Sequence, residues 1–238
     1  MRKTINVSNQ GVTLDTGRRN FLKLSGVGLA IAGLTLVGCN DDDMIIGGNN
    51  GNVFDLGKGD VGVLNYAYAL EQLEADFYTK VVNNFYSGIS SVEKELFTDL
   101  YHHEVIHRDF FKAAIGGAAP NSILPTLEFQ YPNVNFSDRN SVLATAKALE
   151  DTGVAAYNGA GKYITNADYL VIAGKIVSVE ARHASAIRNL IKPGSADFSG
   201  DDVIDANGLD LAKEPKDIVM AAGGFIKTPF TWKERNIG

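Results

Sequence analysis

The chain has 238 residues, 45% of them hydrophobic, with 22 basic against 28 acidic side chains and a formal net charge of -6. That is length for one sizeable domain or two small ones with a packed core, and wholesale disorder is not expected. An acidic balance with no Lys/Arg cluster beyond the N-terminus argues against nucleic-acid partners, and the single cysteine, Cys39, excludes an intramolecular disulfide, a cysteine zinc cluster and a CxxC iron site, leaving oxygen and nitrogen ligands for any metal.

Residues 1–39 read as a targeting segment rather than as fold. Two arginines precede an apolar run from Leu24 to Val37, and Gly38 and Cys39 follow it. That run is short of the roughly 20 residues a membrane-spanning helix needs and fits the apolar region of a signal peptide. Arg18-Arg19-Asn20-Phe21-Leu22-Lys23 resembles the twin-arginine export motif, departing from it at Gly17, where Ser or Thr is usual. Leu36-Val37-Gly38-Cys39 resembles a lipobox, whose cysteine is lipidated and becomes the new N-terminus. The alternative is a single N-terminal membrane anchor with an incidental cysteine. Both readings place the domain outside the cytoplasm, in the cell envelope. Because the twin-arginine route carries folded proteins, it hints at a cofactor inserted before export. Residues 40–59, acidic and rich in Gly and Asn, read as a flexible tether.

The prolines permit long helices over most of the remaining chain, since none of the six lies between Met1 and Ala119 or between Asn133 and Lys192. Apolar residues at three- and four-residue steps predict four helices, over about 60–85, 91–115, 138–165 and 166–191, with Ser91 as a plausible N-cap of the second. Short breaks make the first pair and the second pair antiparallel neighbours. Between the pairs, residues 116–137 contain Pro120, Pro125 and Pro132 and cannot be helical throughout. A helix of about 26 residues is about 39 Å long. A segment extended at up to about 3.3 Å per residue can run back along it, so the second and third helices can lie parallel in an all-α four-helix bundle with one long crossover. Residues 192–238 form a mixed tail with a short helix over 215–222, packing on the bundle or on a partner, and Trp232 reads as packing within it.

Each apolar stripe is interrupted near its middle by a glutamate: Glu71, Glu104, Glu150 and Glu180. Burying four carboxylates together is prohibitive unless something cancels their charge. In the second and fourth helices a histidine stands three residues on, Glu104 with His107 and Glu180 with His183, a spacing that puts both side chains on one helix face. Four glutamates carry four negative charges, which two divalent ions balance while neutral imidazoles complete the coordination. The halves echo each other: Tyr78 follows Glu71, and Tyr157 follows Glu150, by seven residues. Either phenol could hydrogen-bond a ligand carboxylate or simply fill the core.

A Glu from each of two helices plus Glu-x-x-His from each of the other two matches the ligand scheme of di-iron and di-manganese bundles. On this set, and on the segments YALEQLEADFY, YHHEVIHRDFF, ALEDTGVAAY and VSVEARHASAIRNL, residues 60–191 resemble the ferritin-like superfamily, most of all its exported ferritin-2 or desiccation-related branch. The resemblance implies Glu71, Glu104, His107, Glu150, Glu180 and His183 as ligands, with Glu104 and Glu180 bridging. Glu74, three residues from Glu71, is the alternative to it or an extra ligand. His102 and His103 read as exposed or as partners of ligands. Rubrerythrin relatives carry a further cysteine-bound iron that this chain cannot hold.

The implied protein is a lipid-anchored envelope protein with two metal ions, iron or manganese with zinc also fitting. It would react with O₂ or peroxide in a ferroxidase, peroxidase or catalase-like manner and draw on an external electron donor. Other readings are a stress- or desiccation-related binding or structural protein whose metals serve folding, and iron storage, ranked last because a lipidated N-terminus and long tail would obstruct a closed shell. A second copy of the chain is a further candidate partner.

Overall fold

The computed structural model describes residues 43–46 and 53–233. Four long helices dominate it: α1 (Gly59–Asn83), α2 (Ser91–Ala118), α3 (Arg139–Ala160) and α4 (Ala167–Ile191). They form the all-α bundle expected from the apolar stripes, with α1 packed on α2, α3 on α4 and α1 on α3. A short fifth helix, α5 (Pro215–Ala222), packs on α3. Among the described residues, no helix is long and apolar enough to cross a membrane.

Ion pairs and caps at the two ends of the bundle fix the helix directions. At one end Asp60, in the first turn of α1, accepts hydrogen bonds from the Thr165 and Asn166 backbone amides just before α4. At the other, Arg139 at the start of α3 donates to Glu93 in the first turn of α2 at 2.6 Å, and to the carbonyl of Leu190 near the end of α4. The starts of α2 and α3 therefore share one end, and these two helices run parallel. Burial opposes ionisation of Glu93, but bonds from Ser90 and Arg139 outweigh it and hold the carboxyl down to about 2. The cap of α2 is Ser90, not Ser91, because Ser90 stands three residues before Glu93 and the two close a reciprocal capping box.

The parallel pair requires a crossover, and buried amides of α1 hold it. Asn65 donates to the Ser122 carbonyl and accepts from the Leu124 amide, while Gln72 accepts from the Leu127 amide. Further along, the Tyr131 hydroxyl donates to Asp76. Part of the proline-rich segment thus has its backbone groups satisfied by α1 side chains, while Glu128 and Gln130 pair with the C-terminal segment around Ile226, and Leu124 and Leu127 are buried beneath the crossover.

The flanking segments correct one expectation. Part of the stretch read as a tether is structured: β1 (Asp43–Ile46) pairs antiparallel with β3 (Phe230–Lys233), and β2 (Phe54–Asp55) pairs parallel with the other edge of β3. Ile46, Leu56, Phe230 and Trp232 are buried there. The third helix also ends at Ala160, short of the expected 165, and passes through a 3₁₀ turn over Gly161–Tyr163.

The C-terminal tail lies against α3 and α4. Arg188 of α4, 3% exposed, uses its guanidinium on Asp151 of α3, on Asp202 and on the Asp197 carbonyl. Further on, the Lys213 amide donates to the Ala155 carbonyl, and the chain passes so close to α3 that a Cβ on Gly159 would lie 1.7 Å from the Lys213 carbonyl oxygen. Gly159→Ala reads this contact through the sign of its effect. In a free helix alanine is favoured over glycine by roughly 0.5–1 kcal/mol. Against the tail it should destabilise by about 1–3 kcal/mol, as overpacking does. Urea unfolding measures the difference, and a stabilised variant would mean that the tail does not lie on Gly159.

Candidate metal centre

The bundle brings the six sequence-selected side chains to one place. Glu71 comes from α1, Glu104 and His107 from α2, Glu150 from α3, Glu180 and His183 from α4. All four glutamates are 0% exposed, His107 9% and His183 5%. Their donor atoms fall into two groups, Glu71, Glu104, His107 and Glu180, and Glu104, Glu150, Glu180 and His183, and within each group the atoms all lie within 4.8 Å of one another. That is close to the span across one ion bound at about 2.0–2.2 Å.

Glu104 and Glu180 belong to both groups and divide their oxygens between them. Nδ1 of His107 lies 2.8 Å from Glu180 Oε1 and 3.5 Å from Glu104 Oε2. Nδ1 of His183 lies 2.9 Å from Glu104 Oε1 and 3.4 Å from Glu180 Oε2. Glu71 and Glu150 each belong to one group, 3.5 Å from His107 and 3.4 Å from His183.

These contacts are close in distance but lack the alignment of hydrogen bonds. Both oxygens of Glu104 and of Glu180, Oε2 of Glu71 and of Glu150, and Nδ1 of both histidines are buried without a hydrogen-bond partner. An orphaned buried polar atom costs about 1–3 kcal/mol, and more when charged. So many, converging on two points, fit a pair of cations, and carboxylate with imidazole suits iron, manganese or zinc.

The remaining oxygens of the outer glutamates are occupied. The Tyr78 hydroxyl of α1 donates to Glu150 Oε1 of α3, and the Tyr157 hydroxyl of α3 donates to Glu71 Oε1 of α1. Each phenol thus crosses to the opposite half, fixing one oxygen of a carboxylate and leaving the other facing the centre. Burial, then the charge of these glutamates, pushes both phenols well above their ordinary value.

Without a metal the electrostatics are lopsided. Burial pushes up the carboxyls of Glu71, Glu104 and Glu150, the last to about 7. Burial also works against the charge of His107, but Glu104, Glu180 and Glu71 raise it to about 12, and His183 rises for the same reason with Glu150 foremost. Glu180 goes the opposite way from the other three. Burial opposes its ionisation too, but both histidines face it and hold it down to about 2.

Of the residues weighed beside Glu71, Glu74 stands outside both groups. It is 3% exposed, and its Oε1 would lie 3.1 Å from a Cβ on Gly153 of α3. Burial, then the charges of the other four glutamates, raises its carboxyl well above the ordinary range. His102 is exposed, whereas His103 meets His183 from outside the centre, Nδ1 to Nε2 at 2.9 Å. Sequence spacing carried a signal for that contact, because His103 stands one turn before His107 and shares its face. Gly153 sits on the inner stripe of α3, three residues after Glu150, as Glu74 sits three after Glu71.

A family model described as ferritin-like domain matches residues 59–193, more than half of the chain and the whole of the four-helix bundle. No curated protein sequence matches the chain.

Proposed function

Because the chain belongs to the ferritin-like domain family, we propose that its buried carboxylate and histidine cluster holds two ions of iron or manganese and reacts with O₂ or peroxide as an envelope oxidoreductase. The observation that carries this is the pair of donor groups sharing Glu104 and Glu180, each oxygen of the two facing one histidine or the other. A bound pair of redox-active ions would supply two electrons to a small oxidant. The residues do the rest. Glu104 and Glu180 hold the two positions together, and Tyr157 and Tyr78 lock Glu71 and Glu150 so that each turns one oxygen inward. Apolar neighbours keep bulk water out. Electrons come from an external donor, since the chain has no cysteine suited to a second iron site.

The test is anaerobic reconstitution of the full chain with Fe(II) or Mn(II), followed by elemental analysis and by O₂ and peroxide consumption. About two ions per chain with turnover are expected, and absence of metal would defeat the reading. One observation favours a second reading, in which the metals serve folding: the glutamates are wholly buried and the histidines nearly so. Two bound ions with no turnover would select it.

Export is part of the proposal. Arg18, Arg19 and Cys39, on which it rests, lie outside the described residues. Replacing both arginines by lysine should block export, and Cys39→Ala should move the protein from the membrane to the soluble fraction. A Cys39 variant that stayed lipid-labelled would refute the lipobox.

A further inference from the structure

The two halves of the bundle repeat Glu-x-x-His, but the residue one turn before each histidine differs. It is His103 before His107 and Val179 before His183. The His103 side chain reaches from α2 to α4, placing its Nδ1 2.9 Å from Nε2 of His183. The two rings are within 8° of parallel, with centroids 5.1 Å apart. With the nitrogens this close, that separation describes rings meeting edge to edge in nearly one plane, because face-stacked rings would sit closer and put the nitrogens out of line. The contact is a hydrogen bond. On its inner side the same His183 ring turns Nδ1 toward Glu104, Glu150 and Glu180 at 2.9–3.4 Å. His107 has matching inner contacts with Glu180, Glu71 and Glu104, but no residue among those described hydrogen-bonds its outer nitrogen.

We propose that His103 is a positioning residue that fixes the ring and tautomer of His183 and so makes the position formed by Glu104, Glu150, Glu180 and His183 the tighter of the two. The inference rests on the dinuclear reading above. To offer a lone pair from Nδ1, His183 must carry its proton on Nε2, and that buried N–H needs an acceptor. Nδ1 of His103 is in place to accept it, which puts the proton of His103 on its own Nε2. Such an outer partner holds a ligand imidazole in orientation and raises the basicity of the ligating nitrogen. By the repeat, the side chain that would do this for His107 is Val179, which has no acceptor. The near-symmetric centre therefore has two unequal positions.

Co(II) titration of the full-length chain, followed by calorimetry and by absorption, tests this. Wild type should bind in two unequal steps. His103→Val, at an exposed position and with folding checked by circular dichroism, should weaken the tighter step about 10–100-fold and alter its absorption spectrum, leaving the weaker step in place. His103→Gln, whose amide oxygen can accept the same hydrogen bond, should restore most of the loss. In a His183→Ala background, adding His103→Val should change nothing, because His103 acts through His183. Val179→His should strengthen the weaker step. Two equal steps in wild type, or unequal steps unmoved by His103→Val, would overturn the inference while leaving the dinuclear reading standing. Wild type that takes up no Co(II) would overturn both.

Discussion

Glu180→Gln should take the metal content from about two ions per chain to near zero, whereas Glu71→Gln should take it to about one. The difference follows from the sharing of residues. Glu180 contributes Oε1 to the group with His107 and Oε2 to the group with His183, so its loss strips one anionic ligand from both positions. Glu71 serves one group only, and its other oxygen is already held by Tyr157. Glu104→Gln should behave as Glu180→Gln, and Glu150→Gln as Glu71→Gln. Glutamine keeps the shape and removes the charge, so a fold check by circular dichroism separates lost ligation from lost structure. Metal analysis after anaerobic reconstitution reads the result, and equal stoichiometry across the four variants would remove the shared-bridge arrangement.

The second large effect is on stability. Between pH 5 and 8 the metal-free protein should lose stability as pH rises, and the metal-loaded protein should not. The raised carboxyls of Glu71, Glu74, Glu104 and Glu150 keep protons that the unfolded chain releases above about 4.3. Their contribution therefore falls as pH climbs through that value and levels off beyond their folded values, about 7 for Glu150. His107, raised to about 12, gives stability that is complete below its unfolded value of about 6.5 and erodes above it. Glu180, lowered to about 2, stabilises at every pH in this window and loses that only in stronger acid. A net difference of one proton sustained over three pH units is about 4 kcal/mol, which moves the midpoint of a domain this size by roughly 10 °C. Bound metal ionises the carboxylates and displaces the histidine protons, so loaded and free melting curves should diverge as pH rises. Coincident curves would mean that no ion sits among these groups.

The bundle was legible because its signal is local. Stripes at helical spacing, the absence of proline and the repeated Glu-x-x-His all lie within single helices, and the short helix over Pro215–Ala222 was placed at its true limits. The cap at Ser90 was also within reach, since Ser90 and Glu93 stand at capping-box spacing. What the sequence hid depends on pairs far apart in the chain. The four residues of β1 are too short a run to show alternation, and their partner is β3 near the other end of the chain. The tyrosines were placed in the right neighbourhood, but spacing within a helix cannot say which facing helix a phenol will meet. Tyr78 stands two turns, about 10.5 Å of rise, beyond Glu71 and bonds Glu150 instead. The low value of Glu180 likewise depends on two histidines arriving from different helices.

The repeat makes the α1–α2 and α3–α4 hairpins look exchangeable, and the position three residues after Glu71 and Glu150 shows that they are not. One half has Glu74 there, and the other has Gly153. Even a bare Cβ at Gly153 would stand 3.1 Å from Glu74 Oε1, so the glycine supplies the room that the glutamate occupies. Two copies of the first hairpin would force a pair of carboxylates into space for one, and two copies of the second would leave facing glycines and a void. The consequence is one of parity. A two-fold axis generates acids in pairs, yet the middle of this bundle gathers five buried glutamates, Glu71, Glu74, Glu104, Glu150 and Glu180. Joining unlike halves lets the chain carry that odd carboxyl, which two divalent ions do not need for charge balance and which burial and the other four glutamates push toward its protonated, uncharged form.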